Sequence, residues 1–300
     1  MPVPLSSLNV HPDNMAPCRN WHGLVHRMTI VSSPRQENHI NVPLEARSHL
    51  GIVVIACVTY LWLFGTQTLF ALEAHNTARK LPFVKRTPVP LPDLSVSQVS
   101  GTTLSYFGYE FEVPWTDIDR EKTKIVGGNK AIIAFRSGNV LSVWSGQPHE
   151  FMNYLIEEGK VDRDTFRKIY GDEALQSDYN FKRLILETTP DKITFFTNRR
   201  TAVSQSVLLM VKAICVSGDP NSGIFAVQGN GFKGFQYGLP QNPPKQLSVE
   251  LFPADGHLDL IFGQKKNGLT VISQADINRI VQTIHKVPIE VAVRSEDTHK

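Results

Sequence analysis

The chain has little cysteine, no basic block and no complete motif of nucleophilic or zinc catalysis, and each shortage closes off a class of function. It holds 3 cysteines in 300 residues: Cys18 in the amino-terminal part, Cys57 in an apolar run, and Cys215 in the part that reads as a globular domain. A disulfide within that domain is excluded, so its core must hold it, and roughly 200 residues are ample for that. The formal net charge is +3 and charged residues make up 20% of the chain. The basic residues are spread thinly, not gathered into the patch that nucleic acid requires, so nucleic acid is not an expected partner. No serine stands in GxSxG, and His149-Glu150 lacks the second histidine of HExxH because Asn153 occupies its place. Ser204, Ser206 and Ser273 have no recognisable acid/base companions, and Glu157 and Glu158 point in different directions on a helix. Cys215 has no resolving cysteine and reads as inert and buried. The residues imply no cofactor.

Charge is missing from one long stretch. From Leu50 to Leu72 the chain reads LGIVVIACVTYLWLFGTQTLFAL, about 23 residues that as a helix would reach about 34 Å, enough for a hydrocarbon core of about 30 Å. Apolar side chains occupy every face, which argues against a surface helix with one buried stripe. The run exceeds a cleaved signal's apolar region, and Leu72-Glu73-Ala74 offers no small-x-small cleavage site. The expectation is a single-pass membrane helix over residues 49–73, of the signal-anchor kind, in an inner or plasma membrane. Counting Arg79, Lys80, Lys85 and Arg86 after the run against Arg35 and Arg47 before it places the large domain in the cytoplasm. Long domains translocate largely regardless of charge, however, and the expectation adopted is an extracytoplasmic domain.

Residues 1–48 show neither helical nor strand period and read as a disordered tail. Met15 and Met28 are alternative starts, and the irregular spacing of His11, His22, His26, His39 and His49 argues against a metal site. Residues 74–100 include KLPFVKRTPVPLPDL, whose prolines fix extended backbone. This reads as a semi-stiff basic spacer holding the domain away from the bilayer. Residues 288–300 read as a tail.

The domain, residues 101–287, opens with strands over 103–107 and 109–113 about Gly108, then a hairpin of 131–136 and 140–144. Helices follow: one after Pro148 with Phe151, Leu155 and Ile156; one capped by Asp162 and ended by Gly171; one with Phe181, Leu184 and Ile185; and a long one between about Thr201 and Cys215, expected to lie against the sheet. Strands return over 224–227, 232–237, 247–252 and 258–262. A capping box at Ser273 and Asp276 starts a closing helix. The order strands, helices, strands, helix predicts an α+β fold with a mainly antiparallel sheet covered by helices. With YEFEVPW near its start and ISQADINRIVQTI at its close, the domain looks like the Mog1/PsbP-type α/β sandwich over most of residues 101–286. The resemblance implies a fold and transfers no site.

Gly229-Asn230-Gly231-Phe232-Lys233-Gly234 satisfies GxGxxG, but strand residues follow it, which makes it a glycine-rich hairpin turn. Asp255, His257 and Asp259 alternate along a strand, as ligands on one face would; with Leu258 and Leu260 opposite, they read first as a solvent-facing polar row. Phe232, Phe235 and Tyr237, with three prolines behind them, are the candidate protein contact; core burial is favoured for Phe235 and Tyr237, and Phe232, at the turn, is expected to be exposed. Two functions follow: a membrane-anchored binding or assembly module contacting another envelope protein, or a hydrolase or metal-dependent enzyme using Asp255, His257 and Asp259.

Overall fold

The computed structural model describes residues 65, 67–99, 101–158, 162–216, 222–241, 247–254, 256–264 and 271–287. The tail histidines, residues 50–64 of the apolar run, Asp255 and residues 288–300 lie outside the described residues. Among the described residues no helix is long and apolar enough to cross a membrane.

The fold is α+β. An eight-stranded sheet runs in the order β1-β7-β8-β9-β10-β6-β5-β4, and a three-stranded sheet in the order β11-β3-β2. The strands are β1 (Val89–Pro90), β2 (Thr102–Tyr106), β3 (Tyr109–Val113), β4 (Lys124–Val126), β5 (Lys130–Ala134), β6 (Asn139–Gly146), β7 (Ile224–Gln228), β8 (Lys233–Tyr237), β9 (Leu247–Phe252), β10 (His257–Gln264) and β11 (His285–Lys286). Every pairing is antiparallel except β1 with β7. The helices are α1 (residues 67–80), α2 (Glu150–Glu158), α3 (Arg163–Tyr170), α4 (Asp178–Glu187), α5 (Arg199–Cys215) and α6 (Gln274–Thr283).

Local chemistry sets the boundaries. The β2–β3 turn places Phe107 and Gly108 at positive φ, the backbone of a two-residue hairpin. Asp162 accepts from Thr165 N at 3.0 Å, and Asn198 caps α5, which starts at Arg199, two residues earlier than Thr201. The capping box of α6 forms in full between Ser273 and Asp276. The GxGxxG segment is the β7–β8 turn, with Gly231 at positive φ.

Strand alternation gives the large sheet two unlike faces. One carries Leu141, Val143, Val249, Leu251, Leu258 and Leu260 against Ile277, Ile280 and Val281 of α6 and Phe111 and Val113 of the small sheet. The other carries Phe235, Tyr237, Glu250, Phe252, His257 and Asp259 and is roofed in part by α4.

Two expectations are corrected here. The long helix α5 lies mainly on other helices: Leu208, Val211 and Cys215 share a cluster with Met152, Phe166, Phe181 and Ile185, and it reaches the sheet's aromatics through Ala213 and Val216. Its broad apolar face is consumed by a helical layer, an alternative that periodicity alone does not separate from sheet packing. The spacer is likewise part of the domain. Phe83, Val84 and Leu91 are buried, β1 joins the large sheet, and Asn278 donates to Asp93 O at 2.9 Å and Ser95 O at 2.7 Å. Proline at an edge strand needs no ladder donor, so the residues that suit a spacer also suit this edge. The domain is thus not held off from the end of the apolar run: Ala71 and Ala74 of α1 are buried with Ile193, Ala202 and Leu209.

Candidate functional site

The centre of the second face is a buried cluster of ionisable groups. In the β9–β10 register Asp259 pairs directly with Glu250, two carboxylates on one face of adjacent strands. Such a pair is repulsive unless cations stand beside it. Two do. His257, two residues before Asp259 and therefore on the same face, places Nε2 3.0 Å from Asp259 Oδ1 and 3.3 Å from Glu250 Oε1. Lys182 descends from α4 and places Nζ 2.8 Å from Glu250 Oε1. The second oxygen of Glu250 accepts from the Tyr237 hydroxyl at 2.7 Å.

All five side chains are buried. Two acids and two bases balance, as burial demands. Burial alone would raise the Glu250 carboxyl, but Lys182 and His257 hold it down at about 2. Burial alone would lower the His257 imidazole, but the Asp259 and Glu250 carboxylates push it up to about 10. Burial beside Glu250 pushes the Tyr237 hydroxyl well above its usual range, so it stays a donor. The His257 ring is held by aromatics: Phe252 stacks on it at 5.0 Å with 2° between planes, and Trp144 meets it edge-on at 5.3 Å. On the α2 side, His149 N donates to Asp178 Oδ2 at 2.6 Å, from a backbone at positive φ.

The ligand atoms of Glu250, His257 and Asp259 all lie within 4.8 Å of one another, a spacing suited to a metal ion. The occupied donors oppose it. Glu250 has one oxygen on an ammonium and the other on a phenol, and His257 offers a lone pair only after losing a strongly held proton. As it stands the arrangement is a closed ion network.

The expected solvent-facing polar row is therefore corrected: His257 and Asp259 are buried, because α4 and flanking aromatics cover a face that strand alternation marks only as non-leucine. Phe232, expected to be exposed at the turn, is also core, and Phe235 and Tyr237 are buried as the core reading of them has it. Phe232 is 8% exposed and meets Tyr109 edge-on, Phe235 is 1% exposed and stacks on Tyr179 at 5.3 Å, and Tyr237 serves Glu250. Lys182 and Glu250 escaped the sequence reading because they lie 68 residues apart on different elements. The signal for Glu250 was a charge in the otherwise apolar strand LSVELF.

Beside the cluster, α4 borders an open groove of about 840 Å3. Tyr179, Asn180 and Arg183 of α4, Val227 and Lys233 of the β7–β8 hairpin, Leu91 after β1 and Asn278 of α6 are among its lining. Lys233 Nζ sits 5.8 Å above the Tyr179 ring, so an aromatic and a cation are presented together. Comparison with known proteins finds no match: no family model, curated protein or solved structure corresponds to this chain.

Proposed function

We propose that the chain is a single-pass membrane protein whose α+β domain is a binding or assembly module seated directly at its anchor, outside the cytoplasm, and contacting another envelope protein. The observation that carries this reading is α1. It carries the last residues of the uncharged run 50–72 and is itself built into the domain through Ala71, Ala74 and Ala78. A segment that enters lipid at one end and the fold at the other fixes the domain's orientation on the bilayer. The groove between α4, α6 and the β7–β8 hairpin, with Tyr179, Arg183 and Lys233, is the surface offered to a partner. The closed ion network beneath it is structural, holding α4, and with it the groove wall, to the sheet.

Crosslinking in native membranes followed by mass spectrometry tests this reading. Crosslinks from Lys233 to one recurrent membrane or envelope protein are expected, together with retention of the chain in membranes after alkaline carbonate. A chain released by carbonate, or crosslinked only to itself, overturns it.

A second reading, a metal-dependent enzyme, draws on the three convergent donors Glu250, His257 and Asp259. It requires stoichiometric metal in the purified protein that is lost in His257→Ala. Metal below one equivalent in the wild-type chain, with no rise in melting temperature on adding zinc, removes it.

A further inference from the structure

Resting on the anchored reading above, we infer that the turn Thr194–Thr197 and the first turn of α5 form a membrane-contacting face, in which Phe195 and Phe196 enter the lipid interface and Arg199 and Arg200 engage anionic headgroups. The turn presents its aromatics outward. Phe196 is 91% exposed and Phe195 41%. The turn is not slack: Thr194 N donates to Thr197 Oγ1 at 2.9 Å, Thr197 N to Thr194 O at 3.1 Å and Phe196 N to Thr194 Oγ1 at 3.3 Å. Ile193 behind it is fully buried. A rigid turn carrying two bare phenylalanines loses little order on entering an interface, and aromatic rings favour that zone.

The arginines break a local rule. Arg199 and Arg200 open α5, where the helix dipole disfavours cations, and no acidic residue accompanies them in that turn. Both are exposed and make no ion pair among the described residues. Charges placed against the helix's own preference, next to exposed aromatics, serve something outside the fold. The pairing of basic and aromatic groups matches an anionic lipid surface.

Position names the occupant. Helices α1 and α5 lie side by side and run the same way: Ala71 and Ala74 share a cluster with Ala202 and Leu209, while Ala78 shares one with Ala213 and Val216. The start of α1, inside the apolar run, is therefore at the same end of the domain as the start of α5. Phe196 lies six residues before Ala202 and residue 65 six before Ala71, so the aromatic turn stands about level with the point where the run reaches the domain. Leu69 and Leu72, 66% and 54% exposed, continue the same apolar end. One end of the described domain thus gathers the start of α1, two phenylalanines and two unopposed arginines.

The test uses the full-length chain in phosphatidylcholine vesicles with and without phosphatidylglycerol. Phe196→Trp adds one fluorophore at an exposed site, and its emission is taken as the difference from the wild-type chain. Quenching by brominated acyl chains and protection from aqueous iodide are expected, with an unchanged melting temperature. In phosphatidylglycerol vesicles, adding Arg199→Glu and Arg200→Glu is expected to lower the lipid quenching without releasing the chain to carbonate. Emission quenched by iodide and indifferent to brominated lipid, in a chain that withstands carbonate, overturns the face and leaves the anchor standing. Release of the wild-type chain by carbonate overturns both. Lipid quenching unaltered by the charge reversals overturns the role of the arginines.

Discussion

Lys182 Nζ lies 2.8 Å from Glu250 Oε1, and neither side chain reaches solvent. One stands in the middle of α4 and the other on β9, so this contact joins the helical layer to the sheet. A buried pair is costly to break, because the survivor keeps its desolvation penalty without its partner. Lys182→Met is expected to destabilise the domain by about 3–5 kcal/mol, and Glu250→Gln by a similar amount. In the double variant the losses should fall well short of their sum, since the second substitution removes the charge the first stranded. Denaturant unfolding of the four chains in detergent checks this, and additive losses would mean that the two groups do not compensate each other.

The same cluster sets an acid limb and an alkaline limb. Glu250, held at about 2 against an ordinary 4.5, contributes stability that is present above 4.5 and lost as pH falls toward 2. His257, pushed to about 10 from an ordinary 6.5, contributes stability that is complete below 6.5 and lost as pH rises toward 10. The cluster is therefore most stabilising between these windows, near pH 4.5–6.5. In His257→Gln the alkaline loss from this group should vanish, while total stability falls at pH 6. Unfolding midpoints at half-unit pH intervals read both effects.

Lys212 works against that alkaline limb. Its ammonium is fully buried at the end of α4, donating to Leu186 O at 2.6 Å and Thr188 O at 2.7 Å, carbonyls that the helix leaves without partners. Burial lowers it to about 7 from 10.5, so between those values the unfolded chain binds more protons and stability rises with pH. Over pH 7–10 this opposes His257 and flattens the wild-type profile. Lys212→Met should uncover the His257 limb: a less stable protein whose midpoint declines with pH across that range. A Lys212→Met profile as flat as the wild type would show that the lysine does not titrate there.

Chain-local chemistry was legible and long-range chemistry was not. Asp162, Gly171 and the Ser273–Asp276 box each act within a few residues, and the structure places caps and stops where those residues stand. Hairpins about Gly108 and Gly231 are equally local. The second face of the large sheet was misread because alternation reports which residues share a face, not what lies above it. His257 and Asp259 look like a wet row until Lys182 arrives from α4, and Phe232 looks exposed at its turn until Tyr109 meets it edge-on. The strand β1 was invisible for a related reason. Val89-Pro90 has no strand signature, and its pairing with Val89↔Phe225 and Pro90↔Ala226 is set by a partner about 136 residues later.

That strand leads to a prediction about how the sheet edge is held. After β1 the chain crosses α6, where Asn278 gives its amide hydrogens to Asp93 O and Ser95 O and accepts from Gln274 Nε2 at 2.9 Å. Gln274 is itself locked to Gln236 by reciprocal amide bonds of 2.8 and 2.9 Å, so the segment is tied through two side chains to the middle of β8. Asn278→Ala would remove the donor from the Asp93 and Ser95 carbonyls and leave the Gln274 amide with Gln236 alone as acceptor, at about 1–3 kcal/mol for a group left unsatisfied. The loss should be local as well as global. Amides of residues 93–99 are expected to exchange faster with deuterium, while those of β9 and β10 keep their protection until the whole domain opens. Equal acceleration in both regions would mean that the segment unfolds with the sheet and has no independent opening.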